Sequence, residues 1–508
     1  MTTIAKTLEI QAEGYEVAHR VARNSFFLLL STILGIITRL AMIPVIARYL
    51  GVDLFGFYAL IMAISMSITP IANFGVERIV CRELSKNKFD GEIYFGTTVI
   101  VKSVLSLLLF FLAIPLILWF TPWNRAVEFA LIIAITEQLF FSMGQTYIAA
   151  VRAFERMEFD IYANSVHKIS LFVLVLIAVI LDLGFTSIFW ARLASSTIFL
   201  LASIIFSYSF FLEPKFSFNS EYAKHIIKES FPVAIYSLLL ALIFKVDVFL
   251  LEWFGNQRDV ALFEGPHRLA SQMQILATSI SFAIFPVLSR ISNNNLNHSL
   301  QQYYRETYKL LFISGVLLAA LLFLGGKSLI TAIFGNEFTE SAVSLQILSP
   351  IVVFLFIVIL QTSFLIAINK QTLNLVAIGI SLAINVILDI LLIPIFSYIG
   401  ASISTLISYF FLMVISANFV RKQGITLDLI GTVSKTVGIG IIVCGVVFFN
   451  LSSDISTLIL RSCVGISLYI VLLFTLQVIT KKEIRIIKSM FLRKSRVSRS
   501  IDELDASS

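Results

Sequence analysis

Residues 25–49 read SFFLLLSTILGIITRLAMIPVIARY. As a helix this stretch rises about 37 Å, enough to cross a hydrocarbon layer of roughly 30 Å, and Arg39 is its only charge before the terminal Arg48. The rest of the chain repeats the pattern. Further apolar runs lie near 54–75, 94–119, 126–150, 161–182, 186–211, 230–252, 261–288, 308–333, 343–367, 373–396, 399–420, 433–450 and 455–479, about fourteen spans in all. The composition agrees: of 508 residues only 14% are charged, against about 25% in a soluble domain, and 58% are apolar. A soluble globular protein is excluded. Scarce Gly (23) and Pro (10) exclude collagen-like and low-complexity chains, and three scattered cysteines, Cys81, Cys444 and Cys463, exclude a disulfide framework. Neither a metal site nor a cofactor is expected.

The polar first 24 residues are expected to be retained, because the first apolar run is too long for a signal h-region and no cleavage site follows it. Basic residues set the orientation. With the amino terminus in the cytoplasm, about 26 Lys and Arg fall on cytoplasmic loops and tails, among them Arg78, Arg82, Lys86 and Lys88. About three, Arg48, Arg125 and Arg258, fall outside. Both termini are therefore expected in the cytoplasm of an inner-membrane protein. The net charge of +7 is concentrated in the tail from Lys481, which reads as a topology signal and an anionic-lipid contact rather than a nucleic-acid site.

No loop exceeds roughly 20 residues, too short for a folded domain, so function must lie within the bilayer. Gly326-Lys327-Ser328 imitates the end of a phosphate-binding loop, but Leu321 stands where the earlier glycine is required. The expected organisation is an all-α polytopic fold. It comprises a cytoplasmic segment 1–24, a six-span lobe 25–211, a cytoplasmic linker 212–229, a second six-span lobe 230–420, two further spans in 433–479 and a basic tail 480–508. Ser25-Phe26 recurs as Ser230-Phe231, and Leu50-Gly51 as Phe254-Gly255. Lobes that each begin and end in the cytoplasm are parallel repeats and would face one another across a central cleft, suited to alternating access.

Charges inside spans are expensive and tend to face a wet cavity or a partner. Arg39, Lys102, Lys168, Arg192, Lys245 and Arg268 are the interior cations; Lys327, Lys435 and Arg461 sit near span ends and can snorkel. Helical spacing puts Ser31, Gly35, Thr38 and Met42 on the face of Arg39, a small and polar stripe. Ser237, Ala241 and Lys245 share one face of the seventh span, with Asp247 on another. Glu264, Arg268, Ser271 and Ile275 align in the eighth span, where Pro266 either opens the helix or marks its start. Glu137 and Lys168, at similar depth, are expected to pair. Asp389 stands alone in the eleventh span. A proton- or sodium-coupling role is open to Glu137, Asp247, Glu264 and Asp389. The interior excess is cationic, which favours an anionic substrate such as a diphosphate over an organic cation.

Asn24 to Leu84 resembles the amino-terminal signature of the polysaccharide flippases that serve O-antigen, capsule and exopolysaccharide synthesis, within the multidrug/oligosaccharidyl-lipid/polysaccharide exporter superfamily. Asn24, Ala47-Arg48-Tyr49-Leu50-Gly51, Phe55-Gly56-Phe57-Tyr58, and Gly75 with Arg82-Glu83-Leu84 carry the likeness. Val246 to Ile291 is similar in Asp247, Gly255 and Phe285-Pro286-Val287-Leu288-Ser289, but has Leu262-Phe263-Glu264 where Gly-x-Tyr is usual. The resemblance implies a two-lobed V-shaped transporter, not an enzyme, that moves polyprenyl-diphosphate-linked oligosaccharide from the cytoplasmic to the outer leaflet. On that reading Arg39, with Lys245 and Arg268 assisting, holds the diphosphate. Membrane lipids and polysaccharide polymerase or assembly proteins would be its partners. The rivals are a multidrug or organic-cation antiporter, needing a cavity carboxylate, and a membrane polymerase or ligase, needing a longer outer loop.

Overall fold

The computed structural model describes residues 35, 38 and 41–478, apart from 86–89, 121–122, 211–214, 294–296, 426–429, 449–454 and the single positions 155, 216, 244, 369 and 477. Arg39 and the expected tails 1–24 and 480–508 lie outside the described residues. Every regular element among the described residues is a helix, and seven helices, or eight with one bent pair, are long and apolar enough to span a membrane. The chain is an all-α multi-pass membrane protein.

The helices are α1 (residues 41–73), α2 (Val76–Ser85), α3 (Gly91–Phe120), α4 (Arg125–Ala153), α5 (Met157–Ile180), α6 (Phe185–Phe210), α7 (Ser220–Ile243) and α8 (Val246–Phe254). They continue with α9 (Gln257–Gln272), α10 (Gln274–Asn293), α11 (Asn297–Phe334), α12 (Ala342–Leu348), α13 (Ile351–Ala367), α14 (Gln371–Lys422), α15 (Ile430–Phe448) and α16 (Ile455–Thr475). Where they are described, the fourteen expected spans fall on helices, and α1 and α14 each carry parts of two. The divisions are single left-handed residues rather than loops. Gly51 (φ 71°) separates the first two expected spans, and Ser397 (φ 51°, ψ −133°) separates the eleventh and twelfth inside α14. Gly400 follows Ser397 against the Leu392 carbonyl so closely that a Cβ there would overlap it, which is why glycine is required. Asp182 and Gly184 (φ 47° and 83°) turn α5 into α6, and Tyr49 Oη accepts from Gly184 N at 2.7 Å.

Several helices begin on a side-chain cap that satisfies free amides of the first turn: Asp90 for α3, Asn124 for α4, Asn219 for α7 and Asn256 for α9. The Asn219 cap corrects the seventh span. Ala223, Ile226 and Ser230, spaced three and four apart, are buried, so the helix starts at Ser220 and the second half of the expected linker 212–229 is helical. The span then breaks at Lys245, which precedes α8 with φ −131° and ψ 0°, so the face shared by Ser237, Ala241 and Lys245 does not continue as one helix. The eighth span breaks at Met273, and Pro266 lies in the interior of α9, so it is not a helix start. The repeat of Gly51 as Gly255 is one of sequence only: Gly255 has φ −124°.

The chain gathers into two compact units, Met1–Ala261 and Leu262–Ser508, divided inside α9. In the first, α4 packs most extensively on α6. Lipid tails are as apolar as leucine, so such packing relies on close fit and polar contacts. Gly144 meets Phe199, where a Cβ would stand 2.6 Å from the ring, and Ser195, Ser196, Ser203 and Ser207 of α6 are buried. Leu107, Leu108, Phe111 and Leu112 of α3 are exposed, as a lipid-facing surface should be. In the second unit α13 lies against α10, α11 and α14, and the last two helices dock on α11. There the Tyr469 hydroxyl donates to the Ile313 carbonyl at 2.8 Å.

Candidate functional site

The second expected span does not end at Gly75. Phe74 and Gly75 are both left-handed (φ 48° and 70°), and the chain resumes at once as α2. A broken helix at membrane depth is tolerated where it lines a polar cavity. Here it does: Thr69, Asn73, Glu77 and Arg78 from the two sides of the break, with Gln138 of α4 and Ser237 of α7, surround a cavity of about 450 Å³. The first turn of α2 thus faces the cavity, and a helix amino terminus favours an anion.

Two hydrogen-bond networks fix the walls. In the first, Thr69 Oγ1 donates to Gln138 Oε1 (2.7 Å) and Gln138 Nε2 donates to Glu137 Oε2 (2.7 Å). Glu137 Oε1 accepts from Ser196 Oγ at 3.0 Å and from Arg192 Nη2 at 3.4 Å. The cation that matches buried Glu137 is therefore Arg192 of α6, not Lys168 as the sequence suggested. In the second network Lys102, fully buried, donates to the Ser142 carbonyl (2.7 Å), Thr146 Oγ1 (2.5 Å) and Asn73 Oδ1 (3.2 Å). Three acceptors use the full valence of the ammonium, which offsets the several kcal/mol that burying it costs. Ser142 also donates to Asn73 Oδ1, leaving Asn73 Nδ2 as a donor.

Arg78 makes no ion pair among the described residues, and Glu77 Oε1 is buried without a hydrogen-bond partner. Hydroxyls, carboxamides, one guanidinium and one carboxylate are the groups that recognise sugar hydroxyls and a phosphate. Just below, Arg82 ties α2 to α7 through Glu229 (3.0 Å), and the guanidinium holds the Glu229 carboxyl below its usual range.

The other expected site residues are dispersed. Arg39 is outside the described residues; Gly35, four residues before it in sequence, lies against the Lys168 ammonium, where a Cβ on Gly35 would stand 2.9 Å from Nζ. Lys245 is half-buried at the start of α8, and Asp247 is buried in its first turn. In the second unit Arg268 Nε donates to Glu264 Oε1 at 2.7 Å, with His267 Nδ1 at 3.9 Å from the other oxygen, so the expected shared face is an ion pair. Asp389 is fully buried and accepts from Ser404 across the fold in α14. The cavity residues Thr69, Asn73, Glu77 and Gln138 are absent from the sequence expectation, and Arg78 stands there only as a topology charge. The close spacing of Pro70, Asn73 and Gly75 was the available signal.

A protein-family model described as "Polysaccharide biosynthesis protein" matches residues 21–292. The chain is similar to the "Probable low-salt glycan biosynthesis flippase Agl15" of Haloferax volcanii, 23% identical over 412 residues that cover 79% of this chain and 84% of the relative. Among solved structures, "Lipid II flippase MurJ, inward closed conformation" matches with a TM-score of 0.71 at 16% identity, covering 93% of this chain and 99% of the other. An inward-facing "multidrug resistance MATE family transporter of the MOP superfamily" matches at 0.60 and 15% identity, covering 77% and 94%. At such identities the structures establish the fold.

Proposed function

Because the chain belongs to the polysaccharide biosynthesis protein family, whose match covers over half of it, we propose that it flips a lipid-linked oligosaccharide across the membrane, from the cytoplasmic to the outer leaflet. The observation that carries this reading is the polar cavity at the Phe74–Gly75 break. Arg78 and the first turn of α2 would take phosphate oxygens; Thr69, Asn73, Gln138 and Ser237 would take sugar hydroxyls. The polyprenyl tail would stay in lipid. The name of the Haloferax volcanii relative, a probable glycan biosynthesis flippase, supports the same reading.

On this reading Arg39 adds positive charge for a diphosphate, with Lys245 and Arg268 as further cations in the transport cycle. Translocation by alternating access needs a substrate that binds the two states unequally, and no covalent step. Release of the diphosphate would follow loss of a proton or sodium ion from a carboxylate that then opposes the anion, with Glu77 joining Glu137, Asp247, Glu264 and Asp389 as candidates. The protein would sit in the inner membrane with both termini cytoplasmic, supplying a polysaccharide polymerase on the outer side.

The test is leaflet-resolved analysis of lipid-linked saccharides in cells lacking the protein, complemented with wild type, Arg39→Ala or Arg78→Ala. Cytoplasmic-side accumulation that wild type cures and the variants do not is expected. Accumulation of unpolymerised material on the outer side would refute flipping.

A second reading, antiport of an organic cation, is favoured by Glu77, whose buried Oε1 lacks a donor. It requires that Glu77→Gln abolish drug resistance while Arg78→Ala does not, the reverse of the order expected for a phosphate-bearing substrate.

A further inference from the structure

The second unit holds a cavity of its own, about 540 Å³, between the first turns of α11 and the last turns of α14. Arg305, Tyr308, Asn418 and Arg421 line it, together with Tyr304 and Gln361, each only 1% exposed. Among the described residues no carboxylate lines it. The side chains of Arg305 and Arg421 make no ion pair or hydrogen bond among the described residues, and Gln361 Oε1 has no hydrogen-bond partner. Two guanidinium groups open to one cavity, with no carboxylate beside them among the described residues, concentrate anions, and their planar forks match phosphate oxygens. A buried carboxamide short of a partner adds a place for a hydroxyl.

A headgroup phosphodiester and a free phosphate share this chemistry, and α14 favours the lipid. Phe410 and Phe411 precede Ala417 and Asn418 by seven residues, which places them on the same helical face two turns deeper in the span. Both rings are exposed, so an apolar track leads from the cavity into the hydrocarbon. We propose that this cavity binds the headgroup of an anionic phospholipid from the leaflet at the basic-loop face. Its phosphate lies between Arg305 and Arg421, a headgroup hydroxyl meets Gln361, and an acyl chain runs along Phe410 and Phe411. The site is independent of the flipping cavity, since every residue in it belongs to the second unit.

The experiment reconstitutes the full chain in nanodiscs of equal phosphatidylglycerol and phosphatidylcholine and identifies retained lipid by native mass spectrometry. Wild type is expected to retain one phosphatidylglycerol at least about tenfold over phosphatidylcholine, the scale of one or two charge-assisted hydrogen bonds. The double variant Arg305→Gln/Arg421→Gln loses the preference. Lys327→Gln, an exposed cation that does not line the cavity, keeps it. If the double variant fails to insert, Arg305→Lys and Arg421→Lys preserve charge without the fork, and each lowers retention severalfold. Equal retention of the two lipids by wild type, unchanged preference in the arginine variants, or displacement of the lipid by millimolar glycerol phosphate would overturn the proposal.

Discussion

The two cavities differ in how their charges are balanced. The first is mixed: Arg78 and Glu77 sit on one turn of α2 beside hydroxyls and carboxamides, and its walls are braced by the Glu137–Arg192 pair and by buried Lys102. The second presents Arg305 and Arg421 with no carboxylate among the described residues of its lining. A site that must release its anion on the far side gains from a carboxylate that can oppose it. A site that only holds an anion has no need of one. The mixed cavity also lies on a helix break, where backbone can rearrange, whereas the cationic one lies between two unbroken helical ends.

Substitutions in the two cavities and their walls break or sharpen that contrast. The largest effect is expected for Arg192→Met, which strands the buried Glu137 carboxylate that braces Gln138. Removing one partner of a buried pair costs about 3–5 kcal/mol, so detergent-solubilised protein should melt well below wild type, and Glu137→Gln in the same chain should recover much of the loss. Arg78→Ala comes next. Loss of one charge-assisted contact to phosphate, about 1.5–3 kcal/mol, lowers flipping roughly 10- to 100-fold with the melting temperature unchanged. Glu77→Gln makes the first cavity resemble the second: inorganic diphosphate should bind it severalfold more tightly in calorimetry, while turnover falls because release is impaired. The smallest effect belongs to Arg305→Gln/Arg421→Gln, which should leave flipping within about twofold, since neither residue lines the first cavity.

What the sequence made legible follows from which signals are local. Span ends were readable because hydropathy falls and glycine or a turn residue appears together, as at Gly51, Gly184 and Ser397. The break at Phe74–Gly75 is marked only by Pro70, Asn73 and Gly75, which fit the end of a span equally well. Only the backbone angles reveal that helix resumes and that Arg78 lines a cavity. The partner of Glu137 was equally hidden: Lys168 lies at matching depth in the next span, but α4 packs chiefly on α6, which brings Arg192 instead. Depth along the membrane normal can be counted from sequence, whereas the choice of neighbouring helix depends on small residues such as Gly144 and Ser196 that hydropathy ignores.

The central claim is that the mixed cavity carries the phosphate of a lipid-linked saccharide across the bilayer. Its most direct test is a reconstituted assay in which a fluorescent polyprenyl-diphosphate oligosaccharide, initially on the inner leaflet of proteoliposomes, becomes accessible to an external quencher. Transfer by wild type that Arg78→Ala slows at least about tenfold, in protein folded and inserted as wild type, is the predicted result. Equal rates for the two, or no transfer above protein-free vesicles by either, would contradict it.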